Sequence, residues 1–419
     1  MTHPFKNLGL SSSITDVVKN LGFDQPTEIQ QQSIPHILEK HDVLAGAQTG
    51  TGKTAAFGLP IIQRFIDSPL VREPSSRVIR ALILVPTREL AQQVFDNIQS
   101  YAKGSQIKVV TAYGGTSMNV QTANLKGGAD ILVATPGRLI DHLFCKNIVL
   151  TQTEVLVLDE ADRMLDMGFM PDIQRILKRM NDERQTLFFS ATLDTKIKAI
   201  AHKMMVDAVE IQVSPSNSTA ETVTEIVYPV DKKRKSELLA YLIGSKNWQQ
   251  VLVFVKTKQG TDALVKELKL DGIKAASIHG DKAQGARQKA LDDFKSGKVR
   301  ALIATDVAAR GLDIHQLEQV INYDLPYKAE DYVHRIGRTG RAGATGLAVS
   351  LMSRDEDYLL KAIEELLDKP LPQEWLKGFE PSLNEEVSNP HAPKKRGRNS
   401  DKQKMKAKLK IHASRGKKR

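Results

Sequence analysis

Residues 154–162 read Glu154-Val-Leu-Val-Leu-Asp-Glu-Ala-Asp162. Four apolar residues in a row are too few for a helix. With no polar residue between them, they suit a strand covered on both faces. Three acids follow at once, where such a strand leaves its sheet. Outward from here, similar short apolar runs recur upstream at Ala81–Val85, Lys108–Tyr113 and Ile131–Thr135, and downstream at Thr186–Ser190. Helical patterns lie between them, as in Glu89–Tyr101 and Asp172–Met180. Strands alternating with helices predict βαβ units around a parallel sheet.

The alternation pauses over residues 214–225, a polar stretch with almost no apolar periodicity, and resumes at Val251–Val255, Ala301–Thr305, Gln319–Tyr323 and Leu347–Leu351. A helical pattern at Thr261–Leu270 separates the first two of these. Two α/β domains are therefore expected, residues 1–213 and 225–379, with a linker at 214–224. From residue 380 Pro, Asn, Ser and Lys displace the aliphatics, which predicts a disordered basic tail over 380–419. No short internal repeat is visible; the halves are alike in architecture only.

The chain has 419 residues, enough for two to three domains, and 41% hydrophobic with 26% charged residues is ordinary for a globular protein. Its longest wholly apolar run is six residues, Leu238–Ile243, far short of the ~18 that suggest a membrane span. The first ten residues lack a basic segment followed by an apolar one, which argues against a secretory signal. A lone cysteine, Cys145, excludes an internal disulfide. A cytoplasmic protein is expected. The net charge of +11 is concentrated in residues 390–419, where thirteen Lys/Arg face one acid, Asp401, leaving residues 1–389 near −1. A basic arm on a near-neutral body points toward nucleic acid.

Residues 47–54 read Ala47-Gln-Thr-Gly-Thr-Gly-Lys-Thr54. Glycines 50 and 52 let the backbone bend around phosphate oxygens, Lys53 offers a point charge to the β- and γ-phosphates, and Thr54 a hydroxyl for Mg²⁺. The general pattern asks for Gly at position 47, where Ala stands. An acid at the end of a buried parallel strand, Asp159, is placed to hold Mg²⁺, and Glu160 to deprotonate a water. The second half lacks a phosphate loop but carries His334-Arg335-Ile-Gly-Arg338-Thr-Gly-Arg341. Arginines at this spacing suit transition-state charge. One nucleotide site completed across a cleft by the second domain accounts for both halves.

Together these motifs resemble the DEAD-box ATP-dependent RNA helicases of superfamily 2, over about residues 5–355. The tetrad 159–162 is the family's namesake, and Ala47 is usual there. Gly22-Phe-Asp-Gln-Pro-Thr-Glu-Ile-Gln30 resembles the Q motif. Pro86-Thr-Arg-Glu-Leu-Ala91, Gly114-Gly115 and Thr135-Pro-Gly-Arg138 resemble RNA-backbone motifs, and Ser190-Ala-Thr192 the coupling motif. Val251–Lys258, Gln284-Gly-Ala-Arg287 and Ala304–Asp313 match the remaining ones. The opening residues and short basic tail look most like the bacterial RhlE-type subgroup.

The resemblance implies two RecA-like parallel-sheet domains in tandem, with ATP and Mg²⁺ as cofactors. Gln30 would read adenine, with Phe5, Phe23 and Gln25 packing near the base. Gln48, Thr49, Gly50, Thr51, Gly52, Lys53 and Thr54 would cradle the phosphates, Thr54 and Asp159 would hold Mg²⁺, partly through water, and Glu160 would be the base. Asp313 would meet the ribose, and Arg338 and Arg341 the γ-phosphate. Asp162, Ser190, Thr192 and His334 would couple ATP state to strand separation. Thr87, Arg88, Gly115, Thr135, Arg138, Arg287 and Thr305 would hold RNA phosphates and 2′-hydroxyls. The implied action is local separation of RNA duplexes, without sequence preference, in ribosome assembly or RNA turnover. Ribosome precursors or the RNA-degradation machinery are the implied partners, and no membrane is involved. Two rivals stay open: a DNA-directed motor of the same superfamily, and an RNA clamp or scaffold.

Overall fold

The computed structural model describes residues 3–47, 50–70, 76, 78–213, 223–309, 312, 314, 317–340 and 345–382. Domain one is built on seven strands: β1 (Val43–Gly46), β2 (Ile79–Leu84), β3 (Val109–Ala112), β4 (Ala129–Ala134), β5 (Val155–Leu158), β6 (Gln185–Ser190) and β7 (Val209–Gln212). Their order is β3-β4-β2-β5-β6-β1-β7, every pair parallel. Strand period two sends alternate residues to opposite faces. Ile83, Val133, Val157 and Phe189 join one apolar cluster, and Leu84, Leu132, Leu158 and Phe188 the other. Helices cover both faces, which is why these strands read as unbroken apolar runs.

Domain two has β8 (Val223–Pro229), β9 (Val251–Phe254), β10 (Ala275–Ile278), β11 (Ala301–Ala304), β12 (Gln319–Asn322) and β13 (Gly346–Met352), ordered β10-β11-β9-β12-β13-β8 and parallel throughout. Counting strands from the start of each domain, this is the order of the first six strands of domain one. Where β7 flanks β1, a short stretch flanks β8: Val227 N–H donates to Pro372 O at 2.8 Å and Glu374 N–H to Val227 O at 2.9 Å.

Four strands escaped the sequence reading. β1, β7 and β10 have four residues each and include Gly46, Glu210 and Ser277, which interrupt their apolar runs. β8 opens at Val223, inside the polar stretch taken for a linker. Its buried Glu225 accepts a hydrogen bond from the Tyr332 hydroxyl at 2.8 Å and pairs with Lys369 at 2.7 Å, so an acid is tolerated in a strand. The expected linker residues 214–222 and tail residues 383–419 lie outside the described residues. Residues 380–382 are described, and Ser382 N–H reaches Asp231 Oδ1 at 2.9 Å.

Candidate active site

In parallel sheets ligands gather where strands end at their carboxyl edge. β1, β6 and β5 are neighbours, and their ends carry three of the motifs. β1 runs through Gly50 and Gly52 into the helix Lys53–Asp67, β5 into Asp159 and Glu160, and β6 from Ser190 into Ala191 and Thr192. Gly52 has φ +89°, and a Cβ there would lie 2.4 Å from Gln30 Nε2. Only glycine fits. Thr51 and the half-buried Thr54 complete the described part of the loop; Gln48 and Thr49 lie outside the described residues.

Lys53 is 6% exposed, and its Nζ lies 3.9 Å from Asp159 Oδ1 with no hydrogen-bond partner. Asp162 Oδ1 is buried and equally without one. Buried charges left short of partners are costly, so this cluster is built for something that is added. Burial pushes the Asp159 carboxyl up to about 6, against the pull of Lys53. Glu160 is buried too, but Arg163, Lys53 and Arg338 outweigh burial and hold it below the usual glutamate range. Its carboxylate accepts from Arg163 at 2.6 Å. Its backbone sits at φ 54°, ψ 48°, a left-handed conformation costing on the order of 1–3 kcal/mol in a non-glycine residue.

Gln30 is buried at the start of the helix Glu28–Leu38. Its Oε1 accepts from Thr27 N–H at 2.9 Å, and its Nε2 donates to Gly52 O at 3.1 Å. One lone pair and one N–H of the amide remain for a ligand. Gln25 is exposed, and Phe23 packs edge-on against Tyr101, ring centroids 6.2 Å apart. Phe5 has no exposed surface, lies in the apolar core and stacks with His3, ring centroids 5.6 Å apart.

Domain two meets this edge. Arg163, His334, Arg335 and Arg338 line one small cavity between the domains, and the charge of Arg338 is felt at Glu160. Arg338 is buried and donates to Leu312 O at 3.0 Å. Arg335 and Arg338 are held differently. Arg335 is 1% exposed, over the Phe254 ring and bonded to Asp306 at 2.6 and 2.8 Å, which makes it structural. Arg341 and Asp313 lie outside the described residues. Asp162 Oδ2 accepts from Ala191 N–H at 3.2 Å, joining the ends of β5 and β6 beside the buried Ser190. Thr192 is exposed, its N–H 3.4 Å from Ser190 Oγ.

The remaining motifs of domain one follow β2, β3 and β4, the other half of the same sheet edge. Buried Thr87 accepts from Leu90 N–H at 3.3 Å and starts the helix Arg88–Tyr101. Arg88 lies over Gly115, where a Cβ would come within 2.0 Å of its guanidinium. Thr135 is buried at the end of β4, and Arg138 donates to Thr116 O at 3.1 Å. In domain two Thr305 is buried after β11. Arg287 pairs with Glu89 of domain one at 2.8 Å, both side chains buried, and Gln284 reaches the same carboxylate at 3.2 Å. A second pair, Lys328–Asp166 at 2.8 Å, is exposed. The sequence reading missed Glu89, Arg163 and Asp166. Glu89 lay inside a quoted motif, but nothing local reveals a partner nearly two hundred positions away.

A DEAD/DEAH box helicase family profile matches residues 27–200, and a helicase conserved C-terminal domain profile matches 234–343. The DEAD-box ATP-dependent RNA helicase CshA of Bacillus subtilis is 41% identical over 385 residues, 92% of this chain and 76% of that protein. The chain belongs to the DEAD-box ATP-dependent RNA helicases. It is an RNA helicase with RNA-stimulated ATP hydrolysis. Among solved structures, S. cerevisiae Dbp5 bound to RNA and ADP BeF3 aligns with TM-score 0.78 at 30% identity, covering 89% of this chain and 96% of that one. Mss116p bound to ssRNA and AMP-PNP aligns at 0.77 and 29%, covering 89% and 78%. Both support the RecA-like tandem. Other Bacillus relatives at 40–42% identity also carry the CshA name, and the expected RhlE-type subgroup finds no support.

Proposed function

We propose that ATP binds at the joined ends of β1, β5 and β6 of domain one (residues 1–213), and that domain two (225–379) completes the site. The observation that carries this is the buried Lys53–Asp159–Glu160 cluster, at which the charge of Arg338 of domain two is felt. Lys53 and the backbone of 50–54 take the phosphates, Gln30 reads adenine with its remaining donor and acceptor, and Arg338 with Arg341 meets the charge that develops on the γ-phosphate. Asp313 serves the ribose. A carboxylate and a hydroxyl, with the unpartnered Asp162 oxygen nearby, form an oxygen donor set suited to Mg²⁺. Thr54 and Asp159 would hold it, partly through water, and when bound it neutralises charge on the β- and γ-phosphates. Glu160 takes the proton of the attacking water; Arg163 holds its carboxylate ionised and aimed.

RNA lies along the other half of the domain-one edge, against Thr87, Arg88, Gly115, Thr135 and Arg138, and against Thr305 of domain two, with backbone contacts that read little sequence. Arg287, which also pairs with Glu89 of domain one, joins this RNA-facing set from domain two. The Asp162–Ala191 bond ties the nucleotide half to the segment Ser190–Thr192, and His334 approaches from domain two. Closure around ATP bends one strand and separates a short duplex; hydrolysis releases it. The thirteen cations of 390–419 add sequence-independent attraction to duplex and single-stranded RNA, each neutralised phosphate contributing about −0.7 to the slope of log K against log[salt]. Action on ribosome precursors or in RNA turnover fits this chemistry. No helix among the described residues is long and apolar enough to cross a membrane, and we place the protein in the cytoplasm.

Strand separation of a short RNA duplex, followed with ATP in wild type and Lys53→Ala, tests the reading. Separation should need ATP and vanish in the variant. Equal stimulation by DNA would favour the DNA-directed motor, and tight RNA binding without separation would favour the clamp.

A further inference from the structure

We propose that His36, Glu39 and His41 form a binding site for a divalent transition metal of the zinc class, on the face of domain one away from the nucleotide. The helix Glu28–Leu38 ends here in a Schellman turn: His41 N–H donates to His36 O at 3.0 Å and Lys40 N–H to Ile37 O at 3.1 Å. Lys40 holds the left-handed position, φ 67°, that such a turn requires. The turn brings residues 36 and 41 side by side, where an apolar contact usually sits. Here it brings two imidazoles together, ring centroids 6.0 Å apart.

The Glu39 carboxylate lies between them, 3.8 Å from His36 Nδ1 and 3.5 Å from His41 Nδ1. All three ligand atoms fall within 4.8 Å of one another. The two measured gaps are too long for hydrogen bonds. His36 Nδ1 is shielded from solvent and has no hydrogen-bond partner. A tetrahedral ion with bonds of ~2.0–2.1 Å holds its ligand atoms roughly 3.4 Å apart, so those gaps need close by only about half an ångström or less.

Two imidazole nitrogens and one carboxylate suit Zn²⁺, Co²⁺, Ni²⁺ or Cu²⁺, and not Mg²⁺ or Ca²⁺, which take oxygen donors. The backbone beneath is tied down: Gln185 Nε2 donates to Ile37 O at 3.1 Å and to His41 O at 2.7 Å. The donors are thus presented on a fixed turn, and the side chains are exposed enough for an ion to enter and keep a solvent-facing position. Occupancy would fix the far end of the helix whose first turn carries Gln30.

The test is a Zn²⁺ titration of the full chain without nucleotide, by calorimetry, with Co²⁺ absorption as a probe of geometry. One saturable site per chain is expected, not displaced by excess Mg²⁺. His41→Gln and Glu39→Gln should each weaken it at least tenfold, since even an outer partner of a metal-bound histidine is worth about 10–100-fold. RNA-stimulated ATP hydrolysis of His41→Gln, measured with a zinc-selective chelator present, should match wild type and show that the variant is folded. No saturable Zn²⁺ binding, or equal affinity in wild type and both variants, would overturn the assignment. So would binding lost on removing residues 390–419, which include His391 and His412.

Discussion

Domain one and domain two place a buried lysine at the same point of the same topology. Lys53 opens the helix after β1, and Lys235 opens the helix after β8. Lys53 is 6% exposed with no hydrogen-bond partner at Nζ, while Lys235, 1% exposed, is bonded to Glu356 and to Tyr323 O. Tyr323 follows β12 as Asp159 follows β5. The next acid, Asp324, accepts from Lys256 N–H at 2.8 Å, where domain one has Glu160. Lys256 Nζ closes the network on Glu356 at 2.8 Å. One sheet end is thus filled from within and the other is left for a ligand. The fold is shared; the chemistry belongs to the strand-end residues.

The largest effect that would sharpen this contrast is catalytic. Arg338→Ala should cut RNA-stimulated kcat by roughly 10³–10⁵, the range for arginine fingers. Glu160→Gln should cut it by ~10²–10⁴ while ATP and RNA binding persist. Single-turnover hydrolysis near the wild-type rate in either variant would remove that residue from the site.

Stability should divide the two lysine sites the other way. Glu356→Ala leaves Lys235 and Lys256 short of a buried partner and should cost about 3–5 kcal/mol in denaturant unfolding. Lys53→Met removes a buried charge that has no hydrogen-bond partner, so it should leave stability unchanged or raise it while abolishing turnover. A large loss of stability in Lys53→Met would break the comparison.

The smallest effect concerns protons. Asp159 is raised to about 6, above an ordinary carboxylate, so between ~pH 4 and 6 the unliganded fold binds a proton that the unfolded chain does not. Its contribution therefore favours the fold at low pH and is lost as pH rises through about 6. Binding of Mg²⁺ and ATP should expel that proton near pH 6 and release almost none near pH 8. Calorimetry in buffers of different ionisation heat checks this, with Asp159→Asn as the silent control.

Much of this was legible in the sequence where a residue type is dictated by local chemistry. The glycines and Lys53 of the phosphate loop, and acids after an apolar strand, could be read without coordinates. Contacts between distant segments could not. The sequence shows Gln30 and Gly52 as members of separate motifs, but not that the amide of one fixes the carbonyl of the other. Arg335 and Arg338 look equivalent, yet Arg335, in the last turn of its helix, is tied to Asp306, while Arg338, just past the helix end, donates to Leu312 O and its charge is felt at Glu160. Polar β8 hid because Glu225 finds its partners more than a hundred residues later.

The two domains act as one site when they meet through Glu89 and Arg287. A charge swap across the buried Glu89–Arg287 pair tests it most directly. Glu89→Arg and Arg287→Glu each set like charges together, and each should depress RNA-stimulated ATP hydrolysis at least tenfold, well within the ~3–5 kcal/mol that breaking a buried pair costs. Combined in one chain they restore opposite charges, and the double variant should recover most of the activity lost by either. A double variant as inactive as the two single effects combined would show that these residues do not meet in the active state, and would contradict the account.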